Sequence, residues 1–267
     1  MDYLDILENK SIYIIREAYY RFKKIALLWS VGKDSTTLLW LIRKSFFGEI
    51  PFPVIHIDTS YKFPEMYVFR DRMAKEWGFN LLVARNNIKL VEGLVPNKGL
   101  KLDCCTELKT NALKSILQEN GFEALFVGIR RDEHGIRAKE RYFSTRDDQF
   151  AWNYQTQSAE IWDQYQSFLQ EDEHCRIHPL LHFSEVDIWR YIRRENIPVV
   201  NLYFSKNGHR YRSIGCAPCC SPIASNATTI DEIIEDVALS TISERAGRAQ
   251  DKENRNTMQK LRLLGYL

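Results

Sequence analysis

No apolar run in this chain approaches the roughly 20 residues needed to cross a bilayer. The N-terminal stretch Met1-Asp2-Tyr3-Leu4-Asp5-Ile6-Leu7-Glu8 has no basic region followed by an apolar core. These two absences predict a soluble, cytoplasmic protein with no membrane partner. An excess of one charge is also missing: 37 Lys and Arg stand against 35 Asp and Glu, a net charge of +2. That balance neither requires nor excludes a polyanionic partner, because a basic face can hide in a neutral total. Repeats and low-complexity tracts are absent. Cysteine is sparse, six in 267 residues, and the six include the adjacent pair Cys104-Cys105 and the CxxC Cys216–Cys219. In a reducing compartment such a distribution points to metal or redox chemistry more than to disulfides.

What is present is enough to build a core. Hydrophobic residues make up 45% of the chain, and its length fits one large domain or one domain with an extension. Apolar runs of strand length recur at Ile25–Trp29, Pro53–Ile57, Leu81–Ala84 and Ala124–Val127, with helix-period segments such as Phe63–Trp77 and Thr106–Glu119 between them. The rhythm is βαβ, so the expected fold class is α/β: a mostly parallel sheet with helices on both faces. Ligands in such sheets sit beyond the carboxyl ends of the strands. Ser30–Ser35, Asp58-Thr59 and Gly128–Glu133 each follow an apolar run and are expected to meet at one edge. Residues 1–145 are read as the nucleotide-binding core. Residues 146–267 are read as a cysteine-containing extension that opens with a long loop around Asp147–Gln155. Within it, Ser184 has the chemistry of an N-cap for a helix that stops near Asn196-Ile197-Pro198, and another helix is expected from Asp231.

The most informative stretch is Ser30-Val31-Gly32-Lys33-Asp34-Ser35. It lies between the first apolar run and a helix-like segment, Thr36 to Ser45. Gly32 lets backbone approach an anion, Ser30, Lys33 and Ser35 can donate to phosphate oxygens, and the following helix aims its N-terminal amides at the same point. Asp34 beside bound phosphates suits a shared Mg2+. The loop is not the GxxxxGK[ST] turn of kinases and GTPases. It resembles instead the SGGxDS loop of the PP-loop ATP pyrophosphatases, which grips the β- and γ-phosphates of ATP while a nucleophile attacks the α-phosphorus.

Three further stretches widen the resemblance: His56-Ile57-Asp58-Thr59 with Phe63–Tyr67, Gly128-Ile129-Arg130-Arg131-Asp132-Glu133 with Arg137–Arg141, and Ser240–Arg248. Together they look like the adenylyl-sulfate and phosphoadenylyl-sulfate reductase superfamily, with whole-chain similarity to the small subunit of sulfate adenylyltransferase. The resemblance implies an adenine nucleotide alpha hydrolase-like fold. Its nucleotide site would use Ser30, Val31, Gly32, Lys33, Asp34, Ser35, Asp58, Thr59 and Gly128, and the catalytic charges would come from Lys33, Asp34, Arg130 and Arg131. Paired arginines suit an oxyanion, because a guanidinium stays charged and can bond two oxygens at once.

The cysteines divide the superfamily. Asp103-Cys104-Cys105-Thr106 and Cys216-Ala217-Pro218-Cys219 resemble the tandem Cys-Cys and CxxC that hold a 4Fe-4S cluster in adenylyl-sulfate reductases. Zinc, or simple burial, is the rival reading. Reductases of that kind also use a cysteine in a C-terminal tail, and Ser221 to Leu267 contains none. The sulfate adenylyltransferase subunits need no cluster and carry a longer insertion between the positions of Tyr203 and Ser213. The resemblance that combines all four cysteines with this body is to the ATP pyrophosphatase of DNA phosphorothioation systems. The expected function is accordingly adenylylation of a DNA phosphate oxygen for sulfur incorporation, with ATP, Mg2+ and a 4Fe-4S cluster. DNA, a cysteine desulfurase and other phosphorothioation components would be its partners. Arg130, Arg131, Arg137, Lys139 and Arg141, with Phe150–Tyr154 behind them, would form the strand-binding surface. The alternatives are sulfate adenylyltransferase with a GTPase large subunit, a reductase-like protein, and a non-catalytic nucleotide sensor.

Overall fold

The computed structural model describes residues 1–96, 101–166, 168–170 and 173–248, together with Lys260, Leu261, Leu263 and Gly265. Among them no helix is long and apolar enough to cross a membrane.

Helix α1 (Tyr3–Arg21) leads into β1 (Ile25–Leu28), α2 (Lys33–Ser45), β2 (Val54–Ile57), α3 (Pro64–Trp77) and β3 (Leu81–Ala84). Two short helices, α4 (Asn87–Val91) and α5 (Lys101–Cys105), precede a π-helical segment, Thr106–Asn111, which runs into α6 (Ala112–Asn120). Then come β4 (Ala124–Val127), β5 (Phe143–Arg146), β6 (His174–Ile177), α7 (Glu185–Glu195), the small pair β7 (His209–Arg210) and β8 (Ile223–Ala224), and α8 (Ile230–Leu239).

Six strands form one sheet in the order β3-β2-β1-β4-β6-β5, parallel throughout except at the β5–β6 edge. Strands β1, β2, β4 and β6 are buried along their whole length, which is why their sequences read as continuous apolar runs rather than alternating ones. The chain leaves β1 toward β2 and β3 on one side and later returns to β4 on the other. The reversal opens a crevice at the carboxyl ends of β1 and β4, where the Ser30–Ser35 loop emerges.

Capping follows the sequence. Ser184 accepts from the Asp187 amide in a reciprocal capping box, and α7 ends at Asn196 in the left-handed region. Two expectations change. Helix α2 begins at Lys33, three residues early, so Lys33, Asp34 and Ser35 form its first turn instead of the loop before it. The sheet also does not respect a division at residue 145: β5 spans it, and β6, from beyond it, pairs with β4 from before it. A buried central sheet needs a partner for the free edge of β4, and the chain supplies one from its second half.

Candidate active site

The crevice is walled by Trp29, Ser30, Gly32, Lys33, Asp34 and Ser35 from the β1–α2 junction, Val127–Ile129 from the end of β4, and Lys62, Lys109, Tyr203 and Ser213–Gly215. Glu133, Arg137, Glu244, Arg245 and Arg248 complete it. The N-cap Gly32 supplies no side-chain cap to α2, so the first-turn amides beyond Lys33 can face an anion. The loop is held in shape from within: Ser30 Oγ lies 3.0 Å from Ser35 Oγ, and Ser35 Oγ donates to the Gly32 carbonyl at 3.1 Å. The Lys33 amide donates to the Tyr203 hydroxyl at 2.8 Å.

Two backbone positions explain the loop's residue types. A β-carbon at Gly128 would come 3.0 to 3.2 Å from the backbone of Asp34 and Ser35. Glycine there allows the β4 end to touch the loop. Val31 stands at φ +67, where a β-branched residue is strained by about 1–3 kcal/mol. The related motif has glycine at this position. Burial of the Val31 side chain offsets part of that cost.

Charges at this end come in matched sets. Lys33 is buried at 1% exposure and pairs with Glu244, with Asp34 at 3.2 Å and with Glu185 at 3.9 Å. Burial works against its charge, but Glu244 and Glu185 more than offset this and hold its pKa above the ordinary lysine value. Arg130, fully buried, pairs with Asp34, Glu244 and Asp132. Arg137 and Arg245 both reach Glu133. Despite burial, Glu133 is kept well below the carboxylate range by Arg137 and Arg245, and Glu244 is lowered by Arg130 and Lys33.

The other predicted residues are distributed differently. Arg131 lies outside the pocket wall and places its guanidinium 5.0 Å from the centre of the Tyr142 ring. Arg130 braces Asp34 from behind that wall. Asp58 is absorbed by Arg85, by the Tyr67 hydroxyl at 2.8 Å and by the Ser60 amide at 2.7 Å. Thr59 Oγ1 lies 3.2 Å from Cys216 Sγ. Asp34, expected to share Mg2+, is engaged by Arg130 and Lys33, and this geometry gives magnesium no support. Sequence reasoning assigned no role in the site to Lys62, Lys109, Tyr203, Glu244, Arg245 and Arg248. Only the Glu244–Arg248 stretch carried a signal, through its family resemblance, because side chains contributed across long sequence separations leave no local pattern.

The cysteines do gather. Cys104, Cys105, Cys216 and Cys219 are all buried. Burial pushes the Cys104 thiol up to about 12, and the neighbouring Cys105, Cys216 and Cys219 push the same way. Among the described residues, however, no three His, Cys, Asp or Glu side chains form a group that could hold a metal ion. The expected 4Fe-4S cluster is therefore not supported by this arrangement. Thiol proximity in the sequence pattern does not by itself converge the sulfurs on one point. Cys175 packs in β6.

A donor-rich turn at the switch point of a parallel sheet, opening a helix toward a buried cationic crevice, defines an α/β protein of the adenine nucleotide alpha hydrolase-like type. The chain belongs to the phosphoadenosine phosphosulfate reductase domain family, whose model matches residues 24–222. It is 39% identical over 296 residues to sulfate adenylyltransferase subunit 2 of Psychromonas ingrahamii, spanning 100% of this chain and 98% of that protein. The Aeromonas salmonicida protein of the same name is 40% identical over 299 residues, covering 100% of this chain and 96% of that protein. Two solved structures share the fold. Candida glabrata FMN adenylyltransferase superposes with a TM-score of 0.59 at 18% identity, over 92% of this chain and 87% of that one. Phosphoadenylyl-sulfate reductase from Candida auris gives 0.56 at 16%, over 84% and 98%.

These relatives overturn DNA phosphorothioation as the function, since end-to-end likeness runs to sulfate adenylyltransferase subunits. The basic stretch expected to hold DNA makes local contacts. Arg137 is buried against Glu133, Lys139 lies over the Tyr154 ring, and Arg141 donates to the Ser158 carbonyl at 3.1 Å.

Proposed function

We propose that this chain is the ATP-cleaving subunit of a sulfate adenylyltransferase. In this reading a sulfate oxygen attacks the α-phosphorus of ATP, forming the new P–O bond of adenylyl sulfate. The bond to the β-phosphate bridging oxygen breaks, and pyrophosphate leaves. The end-to-end identity of 39 to 40% with proteins named sulfate adenylyltransferase subunit 2 carries this reading.

The site suits the chemistry. Pyrophosphate is expected to sit against the first turn of α2, where Ser30, Gly32 and Ser35 line the crevice, and helix amides stabilise the charge that develops as it departs. Lys33 and Arg130 stand in and behind that turn, and their carboxylate partners hold both cations in place before the nucleotide arrives. Preorganised charge of this kind lowers a barrier because it need not reorganise during the reaction. A GTPase large subunit is the partner this reading calls for.

The test is pyrophosphate release by the purified chain with and without sulfate, alone and with the GTPase subunit, alongside detection of adenylyl sulfate. Sulfate-dependent release with adenylyl sulfate as product is expected. Release indifferent to sulfate, with no adenylyl sulfate formed in the reconstituted pair, overturns the reading.

A further inference from the structure

The missing side chain of Gly32 leaves a space at the opening of α2, and two hydroxyl groups bound it. A β-carbon there would stand 3.3 Å from Ser30 Oγ and 3.6 Å from the Tyr203 hydroxyl oxygen. All three residues line the crevice. Gly32 itself has φ −77 and ψ 163, which any residue can adopt, so the space can be filled by substitution without straining the backbone.

Tyr203 reaches this point from the second half of the chain, 170 positions from Lys33. It closes a 3-10 turn, Asn201–Tyr203, in which its amide donates to the Val200 carbonyl at 3.2 Å. Its ring meets that of Trp189 on α7 edge to face, with centroids 5.3 Å apart at 82°, and both residues are buried. Packing of this kind fixes where the hydroxyl stands. The oxygen accepts the Lys33 amide proton at 2.8 Å. The protons of the neighbouring hydroxyls are engaged within the loop: Ser35 Oγ donates to the Gly32 carbonyl, which leaves Ser30 Oγ as the donor to Ser35 Oγ. The Tyr203 hydroxyl, in contrast, donates to no acceptor among the described residues. Burial pushes its pKa up to about 12, so that proton is present at neutral pH. A buried donor without an acceptor is costly, and an anionic oxygen in the space at Gly32 would satisfy it.

We infer that Tyr203 is a phosphate-binding residue: its hydroxyl takes the first amide of α2 as acceptor and donates its own proton to a pyrophosphate oxygen seated over Gly32. The first amide of the helix is thereby relayed one step into the crevice, beside the remaining open amides of the first turn. The inference rests on the sulfate adenylyltransferase reading only for the identity of the anion as the pyrophosphate half of ATP.

The experiment titrates inorganic pyrophosphate and AMP separately into the full chain by calorimetry. Tyr203→Phe keeps the ring against Trp189 and removes only the hydroxyl. It is expected to weaken pyrophosphate binding by about tenfold, near 1.4 kcal/mol, while AMP binding stays within about twofold. Gly32→Ala puts a methyl group into the space and is expected to give the same selective loss. Melting curves report folding, and Gly32→Ala decides alone if Tyr203→Phe does not fold. Undiminished pyrophosphate binding in a folded variant makes the hydroxyl a helix cap only and overturns the inference. Equal loss of pyrophosphate and AMP, or no pyrophosphate binding by wild type, overturns it too. A selective loss in the variants of a wild type that makes no adenylyl sulfate with the GTPase subunit overturns the functional reading alone. An active pair whose KM for ATP is the same in Tyr203→Phe as in wild type overturns the role of Tyr203 alone.

Discussion

The two ends of the crevice solve opposite electrostatic problems. At the Lys33 end, four buried cations are interleaved with five carboxylates, so the network is rigid before any ligand arrives. At the other end, Lys62, Lys109 and Arg248 line the crevice, Lys62 is bridged to Cys216, and Arg248 donates to the Cys220 thiol. The difference teaches that charge count alone does not locate a ligand. A cation locked to buried carboxylates is part of the protein's framework before it can serve a ligand.

Breaking the matched end is expected to give the largest effect. Lys33→Ala removes one of the two cations that hold buried Glu244, leaving Arg130 alone to balance it, and is expected to cost about 3–5 kcal/mol of stability, read as a large drop in melting temperature. Buried at 1% exposure, Lys33 belongs to the fold as well as to the crevice. The double variant Lys33→Met with Glu244→Gln is expected to recover most of the stability while leaving pyrophosphate release lost. A single variant that melts like wild type removes the basis of the comparison.

Next comes Gly128→Ala, which pushes β4 against the loop backbone. About 1–3 kcal/mol of destabilisation is expected from the overpacking, with weaker binding of ATP, measured by denaturant melts and nucleotide titration. Full ATP affinity in this variant shows that the close approach is incidental.

Lys62→Met sharpens the contrast from the other side. Removing a cation from among like charges is expected to change stability by less than about 1 kcal/mol, in either direction. A loss as large as that of Lys33→Ala would make the two ends equivalent.

The smallest effect is in pH dependence. With the Cys216 thiol drawn to about 7, its folded value lies below the unfolded thiol value. Its contribution to stability is therefore absent below pH 7 and grows as pH rises toward the ordinary thiol range. Ultraviolet thiolate absorbance is expected to rise near pH 7 in wild type and not in Cys216→Ser. Cys104 and Cys175, both pushed up to about 12 by burial, contribute nothing there. Absorbance that appears only well above pH 8 contradicts the positive potential at this end.

Much of the fold was legible in the chain. The runs at Ile25–Leu28, Val54–Ile57, Leu81–Ala84 and Ala124–Val127 became four parallel strands within a residue of expectation, because an apolar run that short and that β-branched is stable only inside a sheet covered on both faces. Ser184 and Asn196 bounded their helix as their side-chain and backbone preferences dictate. Glycine at 32 marked the turn that opens α2 for the same local reason. The roles of the charged residues were not legible. Arg130 and Arg131 are adjacent, yet one braces Asp34 in the interior and the other covers Tyr142.

The sequence by itself therefore determined most of the elements, their order and the turn between β1 and α2, since these depend on interactions between residues a few positions apart. Only the tertiary structure decided which cation faces which carboxylate. It brought Glu244 to Lys33 across 211 positions and set Lys62 beside Lys109, Arg248 and Cys216. Coulomb interactions depend on distance and burial, and neither is written in the spacing of residues along the chain.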